Sequence, residues 1–598
     1  MSNLSKIRRD KMIEFLETLK EQHSDDESLI AINQIEKELV SKRYGLVWEE
    51  HEEAVDVMMR DNIPVFTEVK EREICMAPGE DYNFLLEGDN LHSLYLLEKT
   101  HRAKIDVIYI DPPYNTGSRD FKYNDSFVDK QDGYRHSKWI SFMDKRLRIA
   151  KELLSARGVI FISIDDNEEA TLKLLCDEIF GEECFVSNIA WQRTYSPRND
   201  SKGLSSEVEH ILVYSNRPNW MPNKLQRTDK MNSIYKSPDN DPKPWTSSSV
   251  TAPSASTHQG MVYAIQHPFT GELMYPTNGR CWALSQEQML ENLNVWARYK
   301  LVELNDDEKR AEICGVTVEN IRRGVCGIML DQELEEAKKH AKDVLMKGNW
   351  PYFYFTNNGR GGIRRKTYLD EMDGRMPTNY WPFAEVGHTD GAKKELKAIF
   401  DGSIPFDTPK PTALIERILE IASTNESIIL DFFAGSGTTA HAVMRYNSHH
   451  KDSHRKFILC TNNENNICDN VTYARICNVI NGYAKEDGIP SNLKYYRTTS
   501  VSKTDEYLAD SLLNHVTEMI QLEHGVRIDD DSYIMIMSDD EADELEKKWN
   551  EYTDVKAIYV SQDVLLTASQ EALFGSVDTY IIPDYYFNFE LREAGELW

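Results

Sequence analysis

Hydrophobic residues follow two different spacings, which alternate along much of the chain. Short, unbroken runs of β-branched and apolar residues are typical of strands that are buried on both faces of a sheet. Longer stretches with an apolar residue at every third or fourth position are typical of amphipathic helices. Runs at 105–110 and 159–164 flank a helical stretch at 137–156. A strand, a helix and a second strand at this spacing predict an α/β unit.

The same alternation returns towards the end of the chain. The predicted elements are a helix at 411–422, a strand at 427–431, a helix at 437–446 and a strand at 456–461. Between the two α/β stretches, Ser, Pro, Asn and Thr become frequent and regular periodicity is weak. We therefore predict one α/β core in two parts, 81–189 and 386–495, which is interrupted by an inserted domain at 190–385.

Both ends of the chain are predicted to form additional regions. Amphipathic helices at 4–22 and 26–43 belong to an N-terminal helical region, 1–80. The last region is a C-terminal domain at 496–598. It contains a predicted helix near 541–550 and strand-like runs at 533–537, 556–560 and 578–582.

Charge is unevenly distributed over the 598 residues. The formal net charge is -30, of which residues 1–80 carry -8 and residues 496–598 carry -16. Residues 191–300 contain 12 basic and 9 acidic side chains, so this segment is mildly basic. An acidic protein as a whole opposes binding of nucleic acid, but an anionic ligand can approach the middle of this chain.

Composition argues against three classes of protein. No apolar run approaches the roughly 20 residues of a membrane span, so we expect a cytoplasmic protein with no membrane partner. The nine cysteines are scattered without a Cys-x-x-Cys pair, which argues against a disulfide framework and against a zinc site. No Gly-x-x-x-x-Gly-Lys-Ser/Thr motif is present, so any ATPase must lie on another polypeptide.

The first candidate site directly follows the predicted strand 105–110 and consists of Asp111, Pro112, Pro113 and Tyr114. A strand end followed by a rigid turn is where an α/β sheet places reactive groups. The Asp111 carboxylate and the Pro112 carbonyl can accept the two protons of an exocyclic amine, which draws its lone pair towards a methyl donor. Tyr114 offers a face on which an extruded base can stack. A structural turn with a helix-capping Asp and a buried Tyr is the alternative.

The second candidate site is a glycine-rich turn after the strand 427–431. Its residues are Asp431, Phe433, Gly435, Gly437 and Thr438. The glycines allow a ligand to approach the backbone closely, and Asp431 is a candidate for binding the amino group of a methionine-like moiety. The turn also fits the dinucleotide fingerprint, which leaves a nicotinamide-dependent oxidoreductase as an alternative. In that fingerprint the ribose-binding acid lies about 20 residues on, whereas Glu464 follows Gly435 by 29 residues.

Glu464 and three further side chains are candidates for contacts with a cofactor. Asp89 follows a predicted extended segment, where a Gly-Asp pair is placed to face an adenine or a ribose. Thr408 and Lys410 lie between prolines just before the helix 411–422, where they could brace a cofactor. A plain turn before a helix, and a solvated turn, are the respective structural alternatives.

Together, the two motifs resemble those of the DNA amino-methyltransferases that use S-adenosylmethionine. The catalytic motif comes first and the glycine turn roughly 320 residues later, an order that resembles the beta group of adenine-N6 methyltransferases. Phe432 stands where many relatives have proline. Other segments resemble the modification subunits of type III restriction-modification systems, and they are 44–49, 139–147, 158–166, 178–181, 279–282, 366–369, 406–412 and 455–464. The resemblance covers roughly residues 40–490.

This resemblance implies a fold, a reaction and partners. The fold is an α/β, Rossmann-like methyltransferase sheet with permuted motif order, and the insertion 190–385 carries target recognition. Asp111 to Tyr114 bind an adenine flipped from duplex DNA, and the glycine turn binds S-adenosylmethionine, with no metal or covalent enzyme intermediate. The family also implies a homodimer at the nucleoid of a bacterium or archaeon, paired with an ATP-dependent restriction subunit. The acidic region 496–598 is then a dimer or partner-docking domain.

Contacts with double-stranded DNA are expected from basic side chains in the insertion. The candidates are Arg193, Arg198, Arg360, Arg364, Arg365 and Lys366. The last four lie in a stretch with flexible glycines, and a solvated basic loop is the structural alternative. Other functions stay open: a stand-alone adenine methyltransferase, the same fold acting on RNA or on N4 of cytosine, and a catalytically inactive DNA-binding scaffold.

Overall fold

The structure is a computed structural model, and the residues that it describes form two compact units. Unit 1 consists of Met1–Asn223 and Pro377–Trp598, and unit 2 of Lys224–Met376. The described residues are 4–22, 25–40, 48–118, 120–123, 126–196, 204–528, 532–552 and 555–596.

Unit 1 is built around an 11-stranded sheet. Ten of its strands, labelled in chain order, are β1 (Asn62–Glu68), β2 (Tyr82–Glu87), β3 (Ile105–Ile110), β4 (Leu154–Ile164), β5 (Phe185–Gln192), β6 (Val208–Ser215), β7 (Tyr380–Trp381), β8 (Ile428–Asp431), β9 (Lys456–Thr461) and β10 (Asn492–Ser502). The remaining strand, Ile74–Cys75, pairs with β10. The spatial order is β1-β10-β2-β9-β8-β3-β4-β6-β5-β7.

The centre of the sheet is parallel, from β10 across to β4. Antiparallel strands extend it on both sides, β1 next to β10 and β6 next to β4. The apolar runs that predict these strands are buried, since Val107, Ile108 and Ile110 of β3 are all 0% exposed. Burial of both faces is what a parallel sheet covered by helices requires.

The two parts of the predicted core meet between β3 and β8. Ile429 of β8 pairs with Val107 of β3, and Leu430 pairs with Ile108, although these strands are far apart in the chain. Because both strands are parallel, the residues that follow them lie at the same edge of the sheet. The predicted α/β sheet with permuted motif order is therefore confirmed, and the two candidate motifs end neighbouring strands.

Helices precede, connect and follow the strands of unit 1 along the chain. The helices of unit 1 of eight residues or more are Leu4–Gln22, Asp26–Val40, Ala54–Asp61, Asn90–His101, Arg135–Leu153, Glu169–Phe180, Thr389–Ile399, Thr412–Ala422, Thr438–His449, Ala474–Asn481, Val516–His524, Asp539–Lys548 and Asp584–Ala594. Three further parallel strands, Tyr533–Ile536, Ala557–Ser561 and Asp578–Ile582, form a small separate sheet near the end of the chain. None of the helices in the described part of the chain has the length and hydrophobicity needed to cross a bilayer.

Unit 2 contains several small sheets and short helices. Its longer strands are Trp245–Ser249, Tyr299–Val302, Gly327–Leu330 and Ile363–Tyr368, and its longer helices are Gln286–Leu293, Asp307–Cys314 and Leu334–Met346. Trp245, Trp282 and Trp296 belong to its own hydrophobic core. A separate core of this kind is what distinguishes an inserted domain from a long loop.

The predicted boundaries differ from these units in three places. The inserted domain was expected at 190–385, but β5, β6 and β7 are strands of the main sheet, and unit 2 spans only Lys224–Met376. Strand β1 lies inside the predicted helical region 1–80, and β10 crosses the boundary at 495. The prediction missed strand β6 because polar loops surround it in the sequence. Its apolar run, 211–214, is nevertheless fully buried.

Candidate active site

Asp111 directly follows β3, at the carboxyl edge of the parallel strands. Its Oδ1 atom accepts hydrogen bonds from Lys410 Nζ at 2.6 Å and from the Tyr114 hydroxyl at 2.9 Å. No described residue donates a hydrogen bond to its Oδ2 atom, and the side chain is 26% exposed. Asp111 therefore offers one carboxylate oxygen to a ligand while the other is held in place.

The proline turn after Asp111 is fixed by contacts on its far side. Trp139 Nε1 donates to the Pro113 carbonyl at 2.7 Å. Asn115 adopts a left-handed backbone with a φ of 56°, and its Nδ2 donates to Glu168 Oε1 at 2.6 Å. Among the described residues none donates to the Pro112 carbonyl. The turn thus has a rigid support and leaves the Pro112 carbonyl available as an acceptor.

Tyr114 is the third part of the first motif, and its ring is half-buried against the core. Its hydroxyl can donate to Asp111 Oδ1 or to Glu209 Oε2, which is 3.2 Å away. Burial, followed by the charges of Asp111 and Glu209, raises the pKa of Tyr114 well above its usual range. Tyr114 is therefore a neutral hydrogen-bond donor. The hydrogen bond from its hydroxyl to Asp111 fixes the position of the ring.

Glu209 and Arg193 extend this group of charges. Glu209 lies on β6 and is only 6% exposed. Its Oε1 atom pairs with Arg193 at 2.7 Å, and its Oε2 atom lies 3.7 Å from Lys410 Nζ.

The prediction missed Glu209 because it lies where periodicity is weak. The signal was a single acid at the start of the apolar run of β6. Arg193, an expected DNA contact, is engaged here, while Arg198 lies outside the described residues.

Burial and pairing set the ionisation of these groups. Burial raises the pKa of Asp111, and the nearby Lys410 ammonium opposes that rise. Burial also works against the charge of Lys410, but Asp111 and Glu209 outweigh it, so the pKa of Lys410 is raised. A buried cation between two carboxylates is the arrangement that keeps a buried acid ionised.

Asp431 ends β8 and holds the glycine turn together. Its Oδ1 atom accepts from the Phe433 amide at 3.0 Å, and its Oδ2 atom accepts from the Thr439 hydroxyl at 2.6 Å. Burial raises the pKa of Asp431 to about 7, and these two hydrogen bonds oppose the rise. Both oxygens thus brace the turn. The predicted contact of Asp431 with an amino group stays a prediction.

The two glycines of this turn have backbones that disfavour other residues. Gly435 has a φ of 48° and Gly437 a φ of 72°. A Cβ atom on Gly435 would lie 3.3 Å from the Phe406 ring, and one on Gly437 would lie 3.3 Å from Thr472 Cγ2. The turn fits tightly between these two side chains, so both positions favour glycine.

Lys410 connects the two motifs. Its carbonyl oxygen accepts a hydrogen bond from the Thr438 hydroxyl at 3.2 Å, and its ammonium donates a hydrogen bond to Asp111 Oδ1. The prediction grouped Lys410 with the cofactor contacts, whereas its charged end lies with the catalytic motif. Thr408, two residues before it, is exposed.

Two partly exposed carboxylates follow the neighbouring strands β2 and β9. Asp89 caps the next helix by accepting from the Leu91 amide at 2.8 Å, and its side chain is 41% exposed. Glu464 is 38% exposed and pairs with Lys122 at 2.7 Å. Because β2, β9 and β8 are neighbours, these acids and the glycine turn lie along one edge of the sheet.

A buried arginine, which the sequence did not reveal, supports that edge. Arg146 is 0% exposed and pairs with Glu53 at 2.9 Å and with Asp89 at 3.3 Å. It also donates to Asn90, whose Nδ2 in turn donates to the Phe432 carbonyl at 2.9 Å. A lone Arg among the apolar positions of its helix was the sequence signal that could have identified it.

No cluster of three or more metal-ligating side chains occurs among the described residues.

The basic stretch of unit 2 forms a hairpin between Phe353–Phe355 and Ile363–Tyr368. Arg360, near its tip, and Arg364 and Arg365 are exposed. Lys366 was expected to contact DNA, and this prediction is wrong because the side chain is 0% exposed. Its ammonium pairs with Asp239 at 2.7 Å and with Asp241 inside the unit.

Replacing Lys366 by Met should therefore lower the stability of unit 2 against unfolding. It should not remove a direct contact with DNA. The substitution leaves two buried carboxylates without their cation, which costs roughly 3–5 kcal/mol of stability. Thermal unfolding with and without DNA checks this. A variant with wild-type stability but a lower DNA affinity would restore Lys366 as a DNA contact.

Comparison with known proteins places these observations in a family. The family profile described as DNA methylase matches residues 105–473, which include both motifs and well over half of the chain. The StyLTI Mod subunit of a type III restriction-modification enzyme from Salmonella typhimurium is 35% identical over 64% of this chain and 52% of its own length. The EcoP15I Mod subunit from Escherichia coli is 29% identical over 70% of this chain and 65% of its own length.

A type II enzyme is similar over more of its own length. The methyltransferase M.KpnI of Klebsiella pneumoniae is 31% identical over 63% of this chain and 79% of its own length. By contrast, the chain spans between about half and two thirds of the type III subunits. The extent of the profile match shows that the chain belongs to the DNA methylase family.

Proposed function

We propose that this protein transfers a methyl group from S-adenosylmethionine to N6 of an adenine that is flipped out of duplex DNA. The observation that carries the proposal is the pair of available acceptors at the edge of the sheet, Asp111 Oδ2 and the Pro112 carbonyl. They lie beside the glycine turn, because β3 and β8 are neighbours. A base must leave the duplex before its amine can reach such a site.

The residues present at this edge fit S-adenosylmethionine. Gly435 and Gly437 add no side chains to the turn, and Asp89 and Glu464 offer partly exposed carboxylates to hydroxyl and amino groups. When bound, S-adenosylmethionine supplies an electrophilic methyl group on a positively charged sulfonium. The acidic side chains along the edge suit that positive charge.

Asp111 and Pro112 bind and orient the exocyclic amine. Each accepts one N–H of the exocyclic amine, which orients the nitrogen and directs its lone pair away from the two acceptors. The nitrogen becomes positively charged as it gains the methyl group, and Asp111 Oδ2 then accepts the proton that it releases. Tyr114 keeps its hydroxyl on Asp111 and presents its ring to the flipped base.

Adenine is favoured over cytosine because Asp is the first residue of the catalytic motif, as in the adenine-specific relatives that it resembles. Purified protein with S-adenosylmethionine labelled in the methyl group tests this on unmethylated genomic DNA. We expect the label in N6-methyladenine after enzymatic digestion. Label in N4-methylcytosine, or in RNA but not in DNA, would contradict the assignment of the substrate.

Unit 2 is the proposed target-recognition domain. It has 21 Lys and Arg against 20 Asp and Glu, so it avoids the excess of acid that gives the whole chain a net charge of -30. The exposed Arg360, Arg364 and Arg365 on its hairpin are the proposed contacts with phosphates or base edges. The buried Lys366 is not among them.

Replacing Arg360, Arg364 and Arg365 together by Ala should weaken DNA binding and reduce its dependence on salt. Each lost phosphate contact lowers the slope of log affinity against log salt by about 0.9, so a slope shallower by about 2–3 is expected. Binding titrations at several salt concentrations measure this slope. Lys339, Lys342 and Lys347, exposed elsewhere on unit 2, provide a charge-matched control triple. Equal slopes for both triple variants would exclude a contact by this hairpin.

We also propose that the protein acts as the modification subunit of a type III-like system, as a homodimer and with an ATP-dependent restriction subunit. Similarity to the StyLTI and EcoP15I Mod subunits supports this, and the acidic region 496–598 is the proposed docking region. The similarity to M.KpnI over most of that enzyme favours a second candidate, a methyltransferase that acts without such a partner. Methylation of only one strand at an asymmetric site supports the first, and methylation of both strands at a palindrome supports the second.

A further inference from the structure

Lys410 lies in a closed position between two acids. It is 8% exposed, with Nζ 2.6 Å from Asp111 Oδ1 and 3.7 Å from Glu209 Oε2. The aromatic rings of Tyr114 and Trp191 lie 5.1 Å and 6.0 Å from the ammonium. The hydrogen bond from Thr438 to its carbonyl fixes its backbone as well. Few other orientations are open to a side chain held at both ends.

This placement decides which oxygen of Asp111 is available. Lys410 and Tyr114 both donate to Oδ1, and none of the described residues donates to Oδ2. A carboxylate that rotates freely presents either oxygen, and an unpaired buried carboxylate tends to take up a proton. A protonated Asp111 cannot accept an N–H at the oxygen that carries the proton.

We propose that Lys410 is a positioning residue for the amine acceptor: it caps Oδ1 of Asp111, keeps that carboxylate ionised and so presents Oδ2 to the exocyclic amine. Glu209 is its second anchor. The inference rests on the proposed methyl transfer and deepens it, because it assigns to Lys410 a role at the substrate amine and not at the cofactor.

The charges around Asp111 give the direction of the expected pH effect. The groups that face it are Lys410, Glu209, Tyr114, Tyr109 and Asp431. Of these, Lys410 is the cation, and its removal raises the pKa of Asp111. Activity needs the ionised carboxylate, so it is lost as the pH falls through that pKa. A higher pKa therefore moves the acidic limb of the pH profile to higher pH.

The test compares Lys410→Met with Lys410→Arg. In Lys410→Met, the acidic limb of kcat/KM should move up by about one pH unit or more, as expected for the loss of an adjacent opposite charge. Lys410→Arg retains the charge and should keep the limb near its wild-type position. The substrate is unmethylated genomic DNA, and transfer of labelled methyl groups is measured from pH 5 to pH 9, a range set by the titration of carboxylates and histidine.

Glu209→Gln provides a second background in case the loss of Lys410 alone prevents folding. It removes the other acid that Lys410 contacts, so the double variant leaves fewer unpaired buried charges. The limb should again move up when Lys410→Met is added to Glu209→Gln. Lys494→Met is a matched control, because Lys494 is also a buried lysine, 1% exposed, which pairs with Glu68 at 2.6 Å. It should lower stability and leave the pH profile unchanged.

Binding of S-adenosylmethionine, measured by calorimetry, separates the two roles of Lys410. We expect Lys410→Met to bind the cofactor as the wild type does. An unmoved acidic limb would overturn the inference, and a large loss of cofactor affinity beside it would make Lys410 a cofactor contact. An inactive wild-type protein would instead overturn the proposed function, and this inference with it.

Discussion

Replacing Asp111 by Asn should lower the rate of methyl transfer by about a thousandfold or more while S-adenosylmethionine still binds. Asn keeps the shape of the side chain but removes the charge that accepts the proton of the amine, and loss of such a group costs about 10²–10⁴-fold. Asp111 also holds Lys410 by an ion pair at 2.6 Å, so the variant disturbs the arrangement of the remaining acceptor. Single-turnover transfer to DNA, with cofactor binding measured in parallel, checks both parts.

Asp106 provides the matched control for this experiment. It lies on the same strand, β3, but its carboxylate accepts from the Ser155 hydroxyl at 3.0 Å and from the Ile428 amide at 3.2 Å. Asp106→Asn should retain transfer. Near-normal turnover in Asp111→Asn, or equal losses in both variants, would remove Asp111 from the reaction.

Gly437→Ala should weaken the binding of S-adenosylmethionine by about tenfold or more. An L-residue in this left-handed conformation is strained by roughly 1–2 kcal/mol, so the turn relaxes in the free protein and must be restored when the cofactor binds. A cost of about 1.4 kcal/mol in that step corresponds to a factor of about ten in affinity. The new Cβ would also lie 3.3 Å from Thr472 Cγ2 and 3.4 Å from the Thr472 carbonyl, so the turn must move. Cofactor affinity measured by calorimetry should fall, while the rate at saturating cofactor changes less.

Gly79→Ala separates the effect on the site from backbone strain alone. Gly79 has a φ of 85°, and a Cβ there meets nothing within 4 Å. This variant should lose stability comparably but bind the cofactor normally. If both variants bind S-adenosylmethionine like the wild type, the turn at Gly437 does not hold the cofactor.

The parts of the site that local sequence determines were predictable. The strand at 105–110 and the motif at Asp111 are contiguous, so hydrophobic pattern and residue type located them together. The glycine turn was located in the same way, because the positive φ of Gly435 and Gly437 follows a buried strand. Neighbouring positions in the sheet then followed from the permuted order that the resemblance supplied.

The remaining parts depend on contacts between distant residues, which no local pattern contains. Lys410 reaches Asp111 across 299 residues, so sequence alone grouped it with the nearer cofactor turn. Lys366 looked like part of an exposed basic loop, but its acidic partner Asp241 lies 125 residues earlier and the pair is buried. In both cases the environment of a lysine was decided by a carboxylate from another element.

Single-molecule sequencing of genomic DNA tests the central claim most directly, because it reads the modified base, its strand and its sequence context together. The DNA comes from cells that express this protein, and cells that express Asp111→Asn are the control. We predict N6-methyladenine at one recurring sequence, present with the wild-type protein and absent from the control. Genomic DNA without new methylation, despite folded protein that binds S-adenosylmethionine, would contradict the claim that this chain is a DNA adenine methyltransferase.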